Sequence, residues 1–306
     1  MSTVKYRFSG HQTFPLRYPW LTKGVQALAE DESTFFREDA LVRLGVGKNM
    51  VSAIRFWCEA THVAVVDGRK KTGLPTEIGL ALFGKGGWDP YLEHPGTLWW
   101  IHWQLASDPS SASTWYLALT KWNRELFGRD ELVDWLEQVA DHTDNRRASR
   151  NSLKRDVDVF LRTYLAPEPD KRRSLEDSLD CPLSELGLIR RVGPGMFEMP
   201  RADRPTLPVA VFALAIARYW EAQLSGASTL SFEHILYGPG SPGAAFRLSE
   251  NALTSLLEDL PDWTGITYDE TAGLRSVIRT GRDLPRSIEC LARYFDCDSE
   301  SAEAAA

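Results

Sequence analysis

Residues 39–72 read DALVRLGVGKNMVSAIRFWCEATHVAVVDGRKKT, and the order of parts in this run decides the fold. Asp39 stands as an N-cap before Ala40, Leu41, Val42 and Leu44, and Gly45 ends that helix where a left-handed residue is needed. Gly45-Val46-Gly47 is a turn short enough to join two helices at a steep angle. In the second helix Met50, Val51, Ile54, Trp57 and Cys58 fall at helical spacing and form the expected buried stripe. Lys48, Ser52, Arg55 and Glu59 recur at intervals of four, three and four on the opposite face. Residues 62–66 have a strand pattern, Asp67-Gly68 is a hairpin signal, and Arg69-Lys70-Lys71 decorates the tip. Helix, tight turn, helix, strand and basic tip is the order of a winged helix-turn-helix, a motif that sets one helix in a DNA groove.

The chemistry of the exposed face agrees with that use. Lys48, Asn49, Ser52 and Arg55 offer donors that phosphates and base edges accept, and Arg69, Lys70 and Lys71 offer charge beside them. The bland alternative is a helical hairpin whose polar face is simply solvated. Gly45-Val46-Gly47-Lys48-Asn49 also invites comparison with a phosphate-binding P-loop. That motif needs a Ser or Thr after its lysine and a strand before it, and this chain has neither.

At 306 residues the chain is long enough for two or three domain cores. Its 43% hydrophobic and 25% charged content is that of a soluble globular protein. No apolar run matches a membrane span, and the N-terminus has no signal-peptide core, so a cytoplasmic location is expected. Cys58, Cys181, Cys290 and Cys297 are scattered without zinc spacing and read as reduced, structural thiols. The net charge of −7 is unevenly spread. Residues 1–73 carry 11 Lys and Arg against 7 Asp and Glu, and residues 146–173 carry 9 against 4. The remaining segments are acidic, so the two positive ones are where a phosphate backbone would bind.

The pattern divides the chain into a winged helix-turn-helix at 1–87, a tryptophan-rich helical domain at 88–170, a C-terminal winged-helix-like domain at 171–298 and a disordered tail at 299–306. The fold class is mainly α with small β-hairpins. Seven tryptophans between Trp88 and Trp135 predict a packed core rather than base-stacking platforms, since the segment is acidic. His102, between Trp100 and Trp103, reads as a core histidine. Residues 146–164 predict an amphipathic helix with Leu153, Val157, Phe160 and Leu161 inward and Arg146, Arg147, Arg150, Lys154 and Arg155 outward. A proline-rich charged linker follows from 166. Beyond it come a hairpin turning at Gly193-Pro194-Gly195, an apolar helix at 209–224, short helices, a strand at 245–248, an extended stretch at 265–268 and a last helix at 284–294.

The run FSGHQTFPLRYPW at 8–20, with LGVGKNM at 44–50 and IRFW at 54–57, resembles a bacterial family long without an assigned function. Its members stand beside sulfurtransferase-like genes in DNA phosphorothioation and phage-defence clusters, and the SspB-like members are DNA-nicking components. Looser similarity extends to Trp99–Trp103, Asp156 and the Ser241-Pro242-Gly243 loop. The resemblance implies DNA as a partner, with a cysteine desulfurase and ATP-binding sulfur-transfer proteins beside it, and Mg²⁺ or Mn²⁺ as cofactor. The residues themselves carry no familiar nuclease signature. His11 is the candidate base, Arg17 the candidate phosphate clamp, and Asp156 the candidate catalytic carboxylate and metal ligand. Against these stands a packing role for the whole N-terminal motif. Three functions remain open: a metal-dependent nicking endonuclease, a non-catalytic DNA-binding adaptor, and a winged-helix transcriptional regulator.

Overall fold

The structure, a computed structural model, describes residues 5–142, 148–166, 181–224, 226–281 and 283–305, with side chains described to Asp296, Leu224 excepted. The chain is mainly helical with small antiparallel sheets, as its sequence predicts. It divides into two compact units, Met1–Ala118 with Arg124–Pro200 and Leu119–Asn123 with Arg201–Ala306. Among the described residues no helix is long and apolar enough to cross a membrane. Arg146, Arg147, the expected linker from 167 and the side chain of Cys297 lie outside the described residues.

The first unit opens with a winged helix. Its parts are α1 (Trp20–Glu30), α2 (Ala40–Leu44), α3 (Lys48–Ala60), β1 (Ala64–Asp67), β2 (Thr72–Pro75) and α4 (Glu77–Phe83). Gly45 stops α2 at φ 64°, the left-handed value that its missing Cβ permits. Asp39 occupies the N-cap position of α2 without capping it, because its carboxylate accepts from Arg37 Nε at 2.7 Å instead. α3 buries Val51, Ile54, Trp57 and Cys58, with Met50 half-buried. The Gly73 N–H donates to the Glu32 carbonyl at 2.8 Å, so the segment before α2 stands where a third strand would pair with β2. α4 starts after β2, where the Thr76 hydroxyl accepts from Gly79 N–H.

The same unit continues through α5 (Pro95–Ser107), α6 (Ser113–Tyr116), β3 (Leu126–Gly128), α7 (Arg129–Asp141), α8 (Arg150–Tyr164), β4 (Arg190–Gly193) and β5 (Met196–Glu198). Trp99, Trp100, Trp103 and Trp115 are buried, and the His102 ring is held by the Tyr164 hydroxyl at 2.8 Å, so both core readings stand. One expectation changes. The hairpin assigned to a C-terminal domain pairs instead with β3, Phe127 opposite Phe197, in the order β3-β5-β4. The expected boundary at 170 therefore falls inside a continuous unit, which also runs across the expected boundary at 87. β3 has only three residues, too few to show a period of two.

The second unit holds α9 (Val209–Leu224), β6 (Thr229–Ser231), α10 (Phe232–Tyr237), α11 (Pro242–Ala245), α12 (Glu250–Glu258), β7 (Ile266–Thr271), β8 (Leu274–Arg279) and α13 (Ser287–Ala305). Its sheet order is β6-β8-β7. The strand expected at 245–248 is replaced by α11, which Ser241 caps, and by a single bridge from Leu248 to Ala202. The tail expected to be disordered from 299 carries helical backbone to Ala305, in keeping with its alanine and glutamate content. Each of the three sheets thus belongs to one plan: a strand or its stand-in, two helices (three after β6, where the short α11 is added), then a hairpin whose second strand pairs with the first. This plan is the winged helix, used three times.

Candidate nucleic-acid interface

On α3, Lys48 and Asn49 are exposed, while Ser52 and Arg55 are half-buried. The Arg55 guanidinium lies 5.3 Å from the Phe36 ring centroid, a cation–π contact that fixes its stem and leaves it part of the surface. Glu59, last of the four on this face, pairs with Arg7 at 2.9 Å. At the wing, Asp67 Oδ1 accepts from the backbone N–H groups of Arg69 and Lys70 at 2.9 and 3.1 Å, which shapes the turn. Arg69, Lys70 and Lys71 are all exposed there, and Lys71 adopts φ 56°. The structure therefore brings seven of the residues expected to bind DNA onto one helix and the hairpin that follows it.

A cleft of about 370 Å³ runs beside α3, with Phe35, Ala40 and Val51 among its buried walls and Arg37 and Lys48 exposed at it. Leu41 and Val42 are 45% and 74% exposed on α2. A five-residue helix has room to bury only one side, and Ala40 and Leu44 take it.

Arg17 does not join this surface. It is 8% exposed, with its guanidinium 5.5 Å from the Phe14 ring and 5.4 Å from the Trp20 ring, so a phosphate has no path to it. His11 and Asp156 are brought together although 145 residues separate them, but inside the first unit, each 2% exposed. His11 Nδ1 accepts from Thr13 N–H at 3.1 Å, which leaves Nε2–H to donate to Asp156 Oδ1 at 2.9 Å. Asp156 also accepts from Ser9 N–H at 3.0 Å to each oxygen and from the Thr114 hydroxyl at 3.0 Å. The histidine lone pair that a base would use is occupied, and the carboxylate is satisfied by protein donors. Asp156 turns inward because it sits one residue before Val157 on the buried side of α8, away from Arg155. Among the described residues no group of three His, Cys, Asp or Glu side chains is disposed to hold a metal ion. Asp156, saturated with hydrogen-bond donors, does not fit the role of metal ligand.

The N-terminal motif thus works as a strap. Arg7 holds Glu59 of α3, Ser9 and His11 hold Asp156 of α8, the Phe14 carbonyl accepts from Trp57 Nε1 at 3.1 Å, and the Thr13 carbonyl accepts from Arg162 at 3.2 Å. Gly10 makes the crossing possible: at φ 117° an added Cβ would stand 2.6 Å from Phe56 Cδ2. Sequence spacing carries no signal for these long-range bonds; only the unusual composition of the run marked it.

No curated protein sequence matches the chain. A crystal structure of SspB aligns with a TM-score of 0.84 at 30% identity, covering 96% of this chain and 89% of that one. A magnesium-ion-bound crystal structure of SspB aligns with a TM-score of 0.85 at the same identity and coverage. The model of the family described as a protein of unknown function, DUF4007, matches residues 8–295, and the chain belongs to that family.

Proposed function

We propose that this protein is the duplex-binding component of an SspB-like DNA phosphorothioation system, and that the first winged helix is its reading head. The observation that carries this reading is the joint exposure of Lys48 and Asn49 with Arg69, Lys70 and Lys71 on the adjoining wing. Phosphate neutralisation by such a wing supplies affinity, and donors on the helix supply discrimination between bases. A cysteine desulfurase and an ATP-binding sulfur-transfer protein are the partners this role calls for. Titrating a labelled duplex with wild type and with Lys48→Ala/Asn49→Ala tests it. The variant binds more weakly; equal affinity in a folded variant removes the head from the reading.

A second reading adds strand nicking. It is favoured by one observation, the magnesium ion bound in a similar SspB structure. His11 and Asp156 do not supply the site, given their burial and partners. Relaxation of supercoiled plasmid in Mg²⁺ or Mn²⁺ tests for nicking directly. Nicking that survives in Asp156→Asn would place the chemistry on other residues.

A further inference from the structure

We infer that the second winged helix of the first unit is a second duplex-binding surface, carried by α8 and held in register with the first by the N-terminal strap. The inference rests on the DNA-binding reading above and extends it to residues outside the first head. In the shared plan α8 takes the place of α3, the helix that enters the groove. The repeat shows in the spacing. Asn151, Arg155, Asp158 and Arg162 fall at intervals of four, three and four along α8, as Lys48, Ser52, Arg55 and Glu59 do along α3. The last residue of each series holds the strap, Glu59 through Arg7 and Arg162 through the Thr13 carbonyl.

The charges of this surface sort into spent and available. Asp158 is neutralised by Arg129, with contacts at 2.5 and 2.8 Å, and Arg150 is engaged by Asp134 and Glu137. Arg190 on β4 pairs with Glu198 at 2.5 Å. Lys154 and Arg155 form no ion pair with any described residue, and Asn151 beside them is exposed. These three sit on the first turns of the helix, where a reading helix meets base edges and phosphates. Next to them lies a cleft of about 470 Å³ lined by Lys5, Phe8, Ser9 and Ser152, adding a cation and hydroxyls to the same side of the helix start. α7 is acidic, and Arg124, Arg129 and Arg150, shared among Asp158 and four of its carboxylates, offset part of that charge beside the helix.

The test uses the full chain and a labelled duplex of about three helical turns, titrated at several salt concentrations. Arg69→Ala/Lys70→Ala/Lys71→Ala reports on the first head, and Lys154→Gln/Arg155→Gln on the second. We expect the second variant to bind more weakly and to flatten the plot of log affinity against log salt by up to about 0.9 per lost contact. It should also shorten the hydroxyl-radical footprint. The charge-keeping Lys154→Arg/Arg155→Lys should bind as wild type; equal loss in that variant would make the effect structural and overturn the inference. If wild type and the first variant differ but Lys154→Gln/Arg155→Gln matches wild type in affinity and slope, the inference fails while the DNA-binding reading stands. If wild type does not bind duplex at all, that reading fails and takes this one with it.

Discussion

The first and third winged helices share one topology and present opposite surfaces. In the first, the exposed face of α3 starts with Lys48 and the wing tip carries Arg69, Lys70 and Lys71. In the third, the equivalent helix α12 exposes Glu250, Asn251, Ser255 and Glu258, and its wing carries Asp269 and Glu270. The nearby cation, Arg275, is turned inward against the Phe232 ring at 3.8 Å and pairs with Glu250 at 3.3 Å. The cores that build the two modules follow the same rule, apolar stripes on helices closed by a hairpin. Their surfaces do not. The winged helix therefore specifies where a helix is offered, and side-chain charge decides what it is offered to.

The sharpest break in this comparison is the strap, which serves the two modules of the first unit. Asp156→Ala leaves His11 Nε2–H, Ser9 N–H and the Thr114 hydroxyl buried without their acceptor. Leaving a buried donor without its acceptor costs about 1–3 kcal/mol for each group. Thermal or urea unfolding should show a large loss, and Asp156→Asn should recover part of it because its carbonyl still accepts. Full stability in Asp156→Ala would mean that the strap does not hold the unit together. Gly10→Ala should fail by another route, overlap with Phe56.

The wings come next in size. Arg69→Ala/Lys70→Ala/Lys71→Ala should weaken binding to every duplex sequence alike and flatten the salt plot by up to about 0.9 per lost contact. Asp269→Asn/Glu270→Gln, which removes the acidic wing charge of the third module, should leave the slope close to wild type. A slope that changes with the third wing as much as with the first would erase the distinction drawn between them.

Arg55→Ala should be smaller and selective. If Arg55 reads a base edge, its loss costs roughly 1–3 kcal/mol on the preferred sequence only. Its cation–π contact with Phe36 is worth about 0.5–1 kcal/mol of stability at a surface site. Binding to preferred and scrambled duplexes, together with a melting curve, separates the two. Equal loss on both duplexes assigns Arg55 to the phosphates or to packing.

What could be read from the sequence follows from the range of each interaction. The first winged helix was legible because its signals are local: Gly45 at the turn, apolar residues at helical spacing, and Asp67-Gly68 before a basic run. The repeat of the plan was legible only in outline, as a C-terminal winged-helix-like domain, and its strands were not. β3 and β6 are three residues long, and β8 buries only Val277, so neither length nor alternation announced them. Without β3 the hairpin at 190–198 has no partner in the sequence that marks the unit it belongs to. The site shows the same division. Periodicity places Lys48 and Asn49 and a turn signal places the wing, whereas His11, Arg17 and Asp156 carry chemical capacity and no positional signal. Burial, which no spacing reports, turned those three into structure.

The smallest expected effect concerns acid, and it acts on the first unit through Asp108. Burial alone would raise the pKa of this carboxyl, but hydrogen bonds from His62, Ser111 and Ser110 more than reverse that and hold it well below the usual carboxylate range. His62, which follows α3 and precedes β1, donates at 3.2 Å and ties the first winged helix to the segment after α5. A carboxylate whose folded pKa is depressed contributes stability that is fully present above the unfolded value of about 3.9 and is lost as pH falls towards the folded one. Asp108→Asn should therefore lower the melting temperature at neutral pH and change it little in strong acid. The two proteins should converge as pH drops below about 4. Because the tie lies in the first unit, hydrogen exchange should show the added opening around α3 and β1 and not in α12 or its wing. Curves that stay parallel down to strong acid would mean that the charge of Asp108 contributes nothing to holding the first head in place.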